Sequence, residues 1–206
     1  MTKPFTLYAK WTEKATELWK NPFTDVKETD WFYGDVQYAH ENNLFAGISD
    51  TEFGPNHPMT RAMLVTVLYR AEGEPSLENE ILGYPFADVD AQSWYGDAVY
   101  WARLHGIAQG YSDEEFAPDQ EISREQIAAI MHRYADYKNT ATDKNGNLTT
   151  FSDVLEISDW AKADVEWACG AGLISGRDDG TLDPLGNASR AEVAAILHRY
   201  LTQNSQ

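Results

Sequence analysis

One motif occurs three times in this chain, and that repetition limits its folding more than any other feature. Phe23-Thr24-Asp25-Val26 returns as Phe86-Ala87-Asp88-Val89 and as Phe151-Ser152-Asp153-Val154, each followed by a tryptophan, Trp31, Trp94 or Trp160. A constant offset of 63 residues carries Val36 to Val99, Gly47 to Gly110, Phe53 to Phe116 and Arg61 to Arg124. An offset of 66 then carries Val99 to Val165, Gly110 to Gly176 and Arg124 to Arg190. A short supersecondary unit cannot hide its apolar face alone, so its copies must pack on one another.

Each unit reads as helix, loop, helix. Val36 and Ala39, Val99 and Ala102, and Val165 and Ala168 mark one buried stripe on each first helix. Thr29 or Asp30, Ser93 and Asp159 stand where an N-cap is expected, and Asn43, Gly106 and Gly172 where the helix ends. A turn-rich loop follows, with Phe53, Phe116 or Leu182 as its apolar plug. The second helices start at Thr60, Ser123 and Ser189 and carry stripes at Leu64, Val67, Leu68; Ile127, Ile130, Met131; and Val193, Ile196, Leu197. Ser189 with Glu192 predicts a capping box, and Ser123 with Gln126 its glutamine form. One cooperative all-α domain is expected, with stripes and tryptophans in a common core.

Composition removes whole function classes. Thirty-three acidic residues against 16 basic give a formal charge of −17, which repels phosphate backbones and anionic membrane faces, so nucleic-acid binding is excluded. A hydrophobic content of 43% supplies enough apolar area to fold. No apolar run reaches the length of a membrane span. The lone cysteine, Cys169, permits no internal disulfide and reads as a small packing residue. His132 and His198 share a repeat position occupied by Tyr69 in the first unit, and read as solvated helix ends. No catalytic triad, phosphate loop or metal motif is present, and neither a metal nor a cofactor is expected.

The first residue of all three second helices is arginine: Arg61, Arg124 and Arg190. A cation there faces the positive end of the helix dipole, an unfavourable placement of about 0.3–1 kcal/mol. Two readings account for it. The arginine is ion-paired to a recurring carboxylate, Asp25, Asp88 or Asp153, or it joins the helix-start amides in an anion pocket. Gly47, Gly110 and Gly176 likewise supply positive φ or let a ligand approach bare backbone. Trp31, Trp94 and Trp160 are core anchors or platforms for a sugar ring.

The FxDV, Trp, Gly, Phe-x-Pro and Thr-Arg-Ala-Glu-like series resembles the S-layer homology family in three tandem copies over about residues 22 to 202. The resemblance implies a pseudo-threefold, three-pronged spindle of helix-loop-helix repeats. It implies repeat 1 with its linker over 22–84, repeat 2 with its linker over 85–150, and repeat 3 over 151–206. The leader, 1–21, is similar to the end of a repeat found in bacterial surface proteins, so a longer exported protein with an upstream signal peptide is expected. The implied function is non-catalytic anchoring at the bacterial cell surface, through secondary cell wall polysaccharide bearing pyruvylated N-acetylmannosamine. Ligand contacts then fall on Arg61, Arg124, Arg190, Gly47, Gly110 and Gly176, with Trp31, Trp94, Trp160, Asp25, Asp88 and Asp153 in the grooves. Met63 in place of the motif's Glu is expected to weaken only a cap, by up to about 1 kcal/mol, whereas Glu125 beside Arg124 predicts unequal grooves in which Arg124 contributes least. A lattice-assembly module with self-association of the full-length protein is the main alternative; a glycoside hydrolase would need a carboxylate pair that no spacing singles out.

Overall fold

The computed structural model of the chain describes residues 19–77, 86–140 and 144–203. Residues 1–18 of the expected leader and the expected 84/85 repeat boundary lie outside the described residues. Within them the chain is all-α, with helices α1 (Tyr33–Glu41), α2 (Arg61–Ala71), α3 (Gly96–Leu104), α4 (Arg124–Tyr137), α5 (Lys162–Gly170) and α6 (Arg190–Gln203). Short 3-10 turns at Leu148–Thr150 and Val154–Glu156 lead into the third unit.

The second helices begin as their sequences dictate. Thr60 Oγ1 accepts from the Met63 amide at 3.2 Å, and the boxes at Ser123–Gln126 and Ser189–Glu192 both close. The first helices depart from expectation. Phe32, Tyr95 and Ala161 occupy their N-cap positions without any side-chain bond. Asp30 and Ser93 sit two residues earlier, where their carbonyls accept from the amides of Tyr33 and Gly96 at 3.1 Å each. A backbone turn therefore does the work expected of a polar side chain. Asn43, Gly106 and Gly172 do take the left-handed conformation, with φ of 55°, 69° and 70°.

Helix packing runs between repeats. α2 packs on α3, α4 on α5, and α6 returns to α1, so the three units close into a cycle. The stripe residues Val36, Leu64, Val99, Ile127, Val165 and Val193 are all buried at these contacts. The signature tryptophans are not: Trp31, Trp94 and Trp160 are 63%, 61% and 55% exposed, and the core instead holds Trp101 and Trp167. His132 and His198 also differ from expectation. Each is an inter-repeat contact, 2.7 Å from Asp164 and 2.8 Å from Asp35, stacked on Trp167 and Tyr38. At the third interface Tyr69 lies against Trp101, and Ala98 takes the repeat position of those aspartates.

At the centre, three equivalent residues pass one hydrogen bond around a ring. The Met59 amide donates to the Ala188 carbonyl at 2.9 Å, Ala188 to Ile122 at 3.1 Å, and Ile122 back to Met59 at 2.9 Å. All three are buried. Leaving such groups unpaired costs about 1–3 kcal/mol each, so the ring favours closure by all three repeats together. Removing residues 151–206 strips partners from α1, α4 and this ring. The truncated chain is expected to lose the single cooperative calorimetric transition of the whole; a sharp transition of about two thirds the enthalpy would mean that the repeats fold as separate beads.

Candidate functional site

Each arginine at a helix start leaves its own repeat and enters the loop of the next. Arg61 Nε donates to the Phe116 carbonyl at 2.9 Å and its Nη2 to Gln109 at 2.7 Å. Arg124 reaches Leu182 at 2.8 Å and Ser175 at 2.6 Å, and Arg190 reaches Phe53 at 2.8 Å and Ala46 at 2.7 Å. The acceptors at Nε are the three loop plugs, and the cycle runs repeat 1 to 2, 2 to 3, and 3 to 1.

Asp25, Asp88 and Asp153 hold the same plugs from the other side. The Asp25 carboxylate accepts the amides of Phe53 and Gly54 at 2.8 Å; Asp88 does so for Phe116 and Ala117 at 2.9 and 2.7 Å, and Asp153 for Leu182 and Asp183 at 2.8 and 2.7 Å. Of the two readings of these arginines, the ion pair with the aspartates does not form, because each carboxylate is taken up by two backbone donors. Such donors favour the ionised form, and Asp153 accordingly has a lowered pKa despite the opposing effect of its desolvation.

The helix-start amides are not open either. Arg61 and Ala62 donate to the carbonyls of Gln120 and Pro118, Arg124 and Glu125 to Gly186 and Pro184, and Arg190 and Ala191 to His57 and Pro55, all at 2.9–3.0 Å. A neighbouring repeat thus satisfies the donors that an anion pocket would have used. What remains is the guanidinium. Nε and Nη2 bind carbonyls, while Nη1 of Arg61 and Arg190 has no carboxylate within 4.0 Å among the described residues. Burial lowers all three arginine pKa values, that of Arg190 to about 10, so the charge persists at neutral pH.

Gly47, Gly110 and Gly176 have ordinary negative-side backbone, so positive φ is not their purpose. A Cβ there would stand 2.8, 2.6 and 2.5 Å from the rings of Phe23, Phe86 and Phe151. These glycines let the loop lie flat on the phenylalanine of the FxDV motif. Gly47 and Gly176 each also line a groove.

The grooves draw on all three repeats. One, of about 510 Å³, is lined by Gly47, Met63 and Arg70 of the first repeat, Trp94 of the second and Arg190 of the third. Another, of about 470 Å³, takes Gly176, Arg177, Glu192 and Arg199 from the third, Arg124 from the second and Trp31 from the first. At the middle loop the Tyr111 ring lies 4.8 Å from the Arg61 guanidinium carbon, and its hydroxyl accepts from Gln126 at 2.8 Å. The Arg124 surroundings correct an expectation. Glu125 is buried and accepts from the Ser158 amide and hydroxyl; the carboxylate on Arg124 is Glu192, at 3.2 Å. Sequence reading also passed over Arg70 and Arg199, although they fall in the same repeat register and both donate to the carbonyl ending the preceding loop turn, Leu44 and Leu173.

Other chemistry is thinly represented. Cys169 is half-buried and its thiol is pushed up to about 11 by desolvation. Among the described residues, no three His, Cys, Asp or Glu converge as a metal site, and no helix is long and apolar enough to cross a membrane.

A cyclic trio of helix-loop-helix units, with an arginine of one clamping the loop of the next, defines a tandem-repeat scaffold. The chain belongs to the S-layer homology domain family, whose model matches residues 22–62, 85–128 and 150–194. It is 31% identical to an amylopullulanase of Thermoanaerobacterium thermosulfurigenes, over 88% of this chain and 10% of that protein. It is 29% identical to the surface-layer 125 kDa protein of Lysinibacillus sphaericus, over 81% and 14% of the two chains. A cellulosome-anchoring protein of Acetivibrio thermocellus is 30% identical over 69% and 31%. The chain thus spans a minor part of each of these relatives.

The loop clamp makes two substitutions informative. Gly110→Ala forces its methyl against the Glu115 and Ser112 carbonyls and the Phe86 ring and is expected to destabilise the fold by about 1–3 kcal/mol through overpacking. Asp88→Ala, which frees two loop amides, is expected to cost a similar amount, about 1–3 kcal/mol. Denaturant midpoints check both; a wild-type midpoint in either variant contradicts the clamp.

Proposed function

We propose that this chain is a non-catalytic anchoring module for the bacterial cell surface, binding secondary cell wall polysaccharide in its inter-repeat grooves. The observation that carries the reading is the guanidinium itself. Each is fixed at Nε and Nη2 by backbone carbonyls, and Arg190, whose Nη1 has no carboxylate within 4.0 Å among the described residues, lines a groove beside the exposed Trp94. A pyruvyl ketal carboxylate on an amino sugar meets Nη1, and the sugar face rests on Trp94 or Trp31. Gly47 or Gly176 keeps the loop backbone low enough for the ring to approach. Asp25, Asp88 and Asp153 act as positioning residues, since they hold the loops that orient the arginines.

Family membership supports this reading, as do relatives that are named for a surface layer and for cellulosome anchoring. Similarity to the amylopullulanase covers only 10% of that protein, consistent with a shared attachment segment joined to different cargo. The acidic remainder of the chain, at −17 overall, repels unspecific anions and confines binding to the arginine-bearing grooves.

A charge-assisted contact contributes about 1.5–3 kcal/mol. Calorimetry is therefore expected to show pyruvylated wall fragments binding roughly ten- to a hundredfold tighter than the same fragments without pyruvate. Equal affinities would remove the carboxylate from the mechanism. The pH dependence follows from both partners. The ligand carboxylate is ionised above about pH 4, and Arg190 loses its proton only as pH rises through about 10. Affinity is expected to hold steady across the neutral range and fall on the alkaline side of that value.

A further inference from the structure

The three arginine clamps are built by the same rules, yet they differ at the third residue of each second helix. That residue is Met63, Gln126 or Glu192, and it faces the arginine arriving from the preceding repeat. Glu192 uses one carboxylate oxygen to complete the box with the Ser189 amide at 2.7 Å. Its other oxygen pairs with Arg124 at 3.2 Å and with Arg177 at 3.3 Å, and Arg177 is also held by Asp183 at 2.7 Å. The groove at the third loop thus already contains the carboxylate that Arg124 would otherwise take from a ligand. Gln126 instead tethers Tyr111 over Arg61, covering that guanidinium with a ring.

Met63 does neither. It lines the groove of the first repeat and carries no charge. Arg190 is only 7% exposed there, packed over Phe53 and Phe45, and its Nη1 has no hydrogen-bond partner among the described residues. The same groove holds a second guanidinium, Arg70, and no acidic residue lines it. The nearest acid to Arg70 is the exposed Glu74, 3.7 Å away and outside the lining.

Building on the anchoring reading, we infer that the third residue of the second helix sets which groove accepts an outside anion, and that the first-repeat groove, opened by Met63, is the principal site. Its occupant is an acidic sugar that places one carboxylate on Arg190, with Arg70 available to a second anionic or carbonyl oxygen. The groove at Arg124 is closed by an internal carboxylate, and that at Arg61 by a tethered tyrosine. Departure from the Thr-Arg-Ala-Glu pattern in the first repeat therefore creates a site instead of weakening one.

Exchanging the residues tests this. Calorimetry with the methyl glycoside of pyruvylated N-acetylmannosamine is expected to show one dominant site in the unaltered chain. Met63→Glu installs a carboxylate opposite Arg190 and completes a box with Thr60, so affinity should fall at least tenfold while the melting temperature holds or rises. Glu192→Met should raise the stoichiometry towards two; Glu192→Gln keeps the cap and should do so in part if the methionine variant folds poorly. Tyr111→Ala should likewise uncover Arg61. Binding by the unaltered chain that Met63→Glu leaves unchanged, or three equal sites at the outset, overturns this inference alone. No binding by any of these proteins overturns the anchoring reading as well.

Discussion

The structure depends on a buried guanidinium that crosses from one repeat to the next. Burying such a group is unfavourable unless its donors find acceptors, and here two of its nitrogens find loop carbonyls at 2.6–2.9 Å. The same plug residue has its amide held by an aspartate of its own repeat. A loop without regular structure is thereby fixed at both polar groups of one residue. Because the arginine belongs to the preceding repeat, no loop is fully ordered until its neighbour is in place. Around the centre, the ring of Met59, Ile122 and Ala188 imposes the same condition on the backbone.

In the proposed anchoring reading, that arrangement makes binding chemistry and stability share residues. The arginine is a structural clamp through Nε and Nη2 and a potential recognition group through Nη1. Its side chain is held by burial and two carbonyls, so in that reading an incoming carboxylate meets a pre-positioned donor and little rotamer entropy is lost. Trp31 and Trp94 line two of the grooves from a third repeat. Threefold construction does not force threefold function, because the residues facing each guanidinium are free to vary once the clamp is made. Met63, Tyr111 with Gln126, and Glu192 with Arg177 are three different local electrostatic settings on one scaffold.

Much of this was legible in the chain. The repeats, the stripes, the caps at Thr60, Ser123 and Ser189, the plugs at Phe53, Phe116 and Leu182, and the left-handed ends at Asn43, Gly106 and Gly172 all follow from local pattern. Periodicity and capping are short-range effects, so they are written into neighbouring residues. The exposed position of Trp31, Trp94 and Trp160 was not legible, since an aromatic in register reads equally as core or as platform. Arg70 and Arg199 shared the repeat offset, a signal that was available but attached to no local oddity. His132 with Asp164 and His198 with Asp35 carried one too: where the histidine gives way to Tyr69, the opposing aspartate gives way to Ala98.

By itself, then, the amino-acid sequence determined the number of units, the type and start of the second helices, and which aliphatic stripe residues leave water. Tertiary structure alone decided which repeat each arginine serves, that its partners are carbonyls and not aspartates, and that the carboxylate on Arg124 comes from Glu192. The physical reason is separation along the chain. Arg190 meets Phe53 across 137 residues, and only the closing of the cycle brings them within hydrogen-bonding reach.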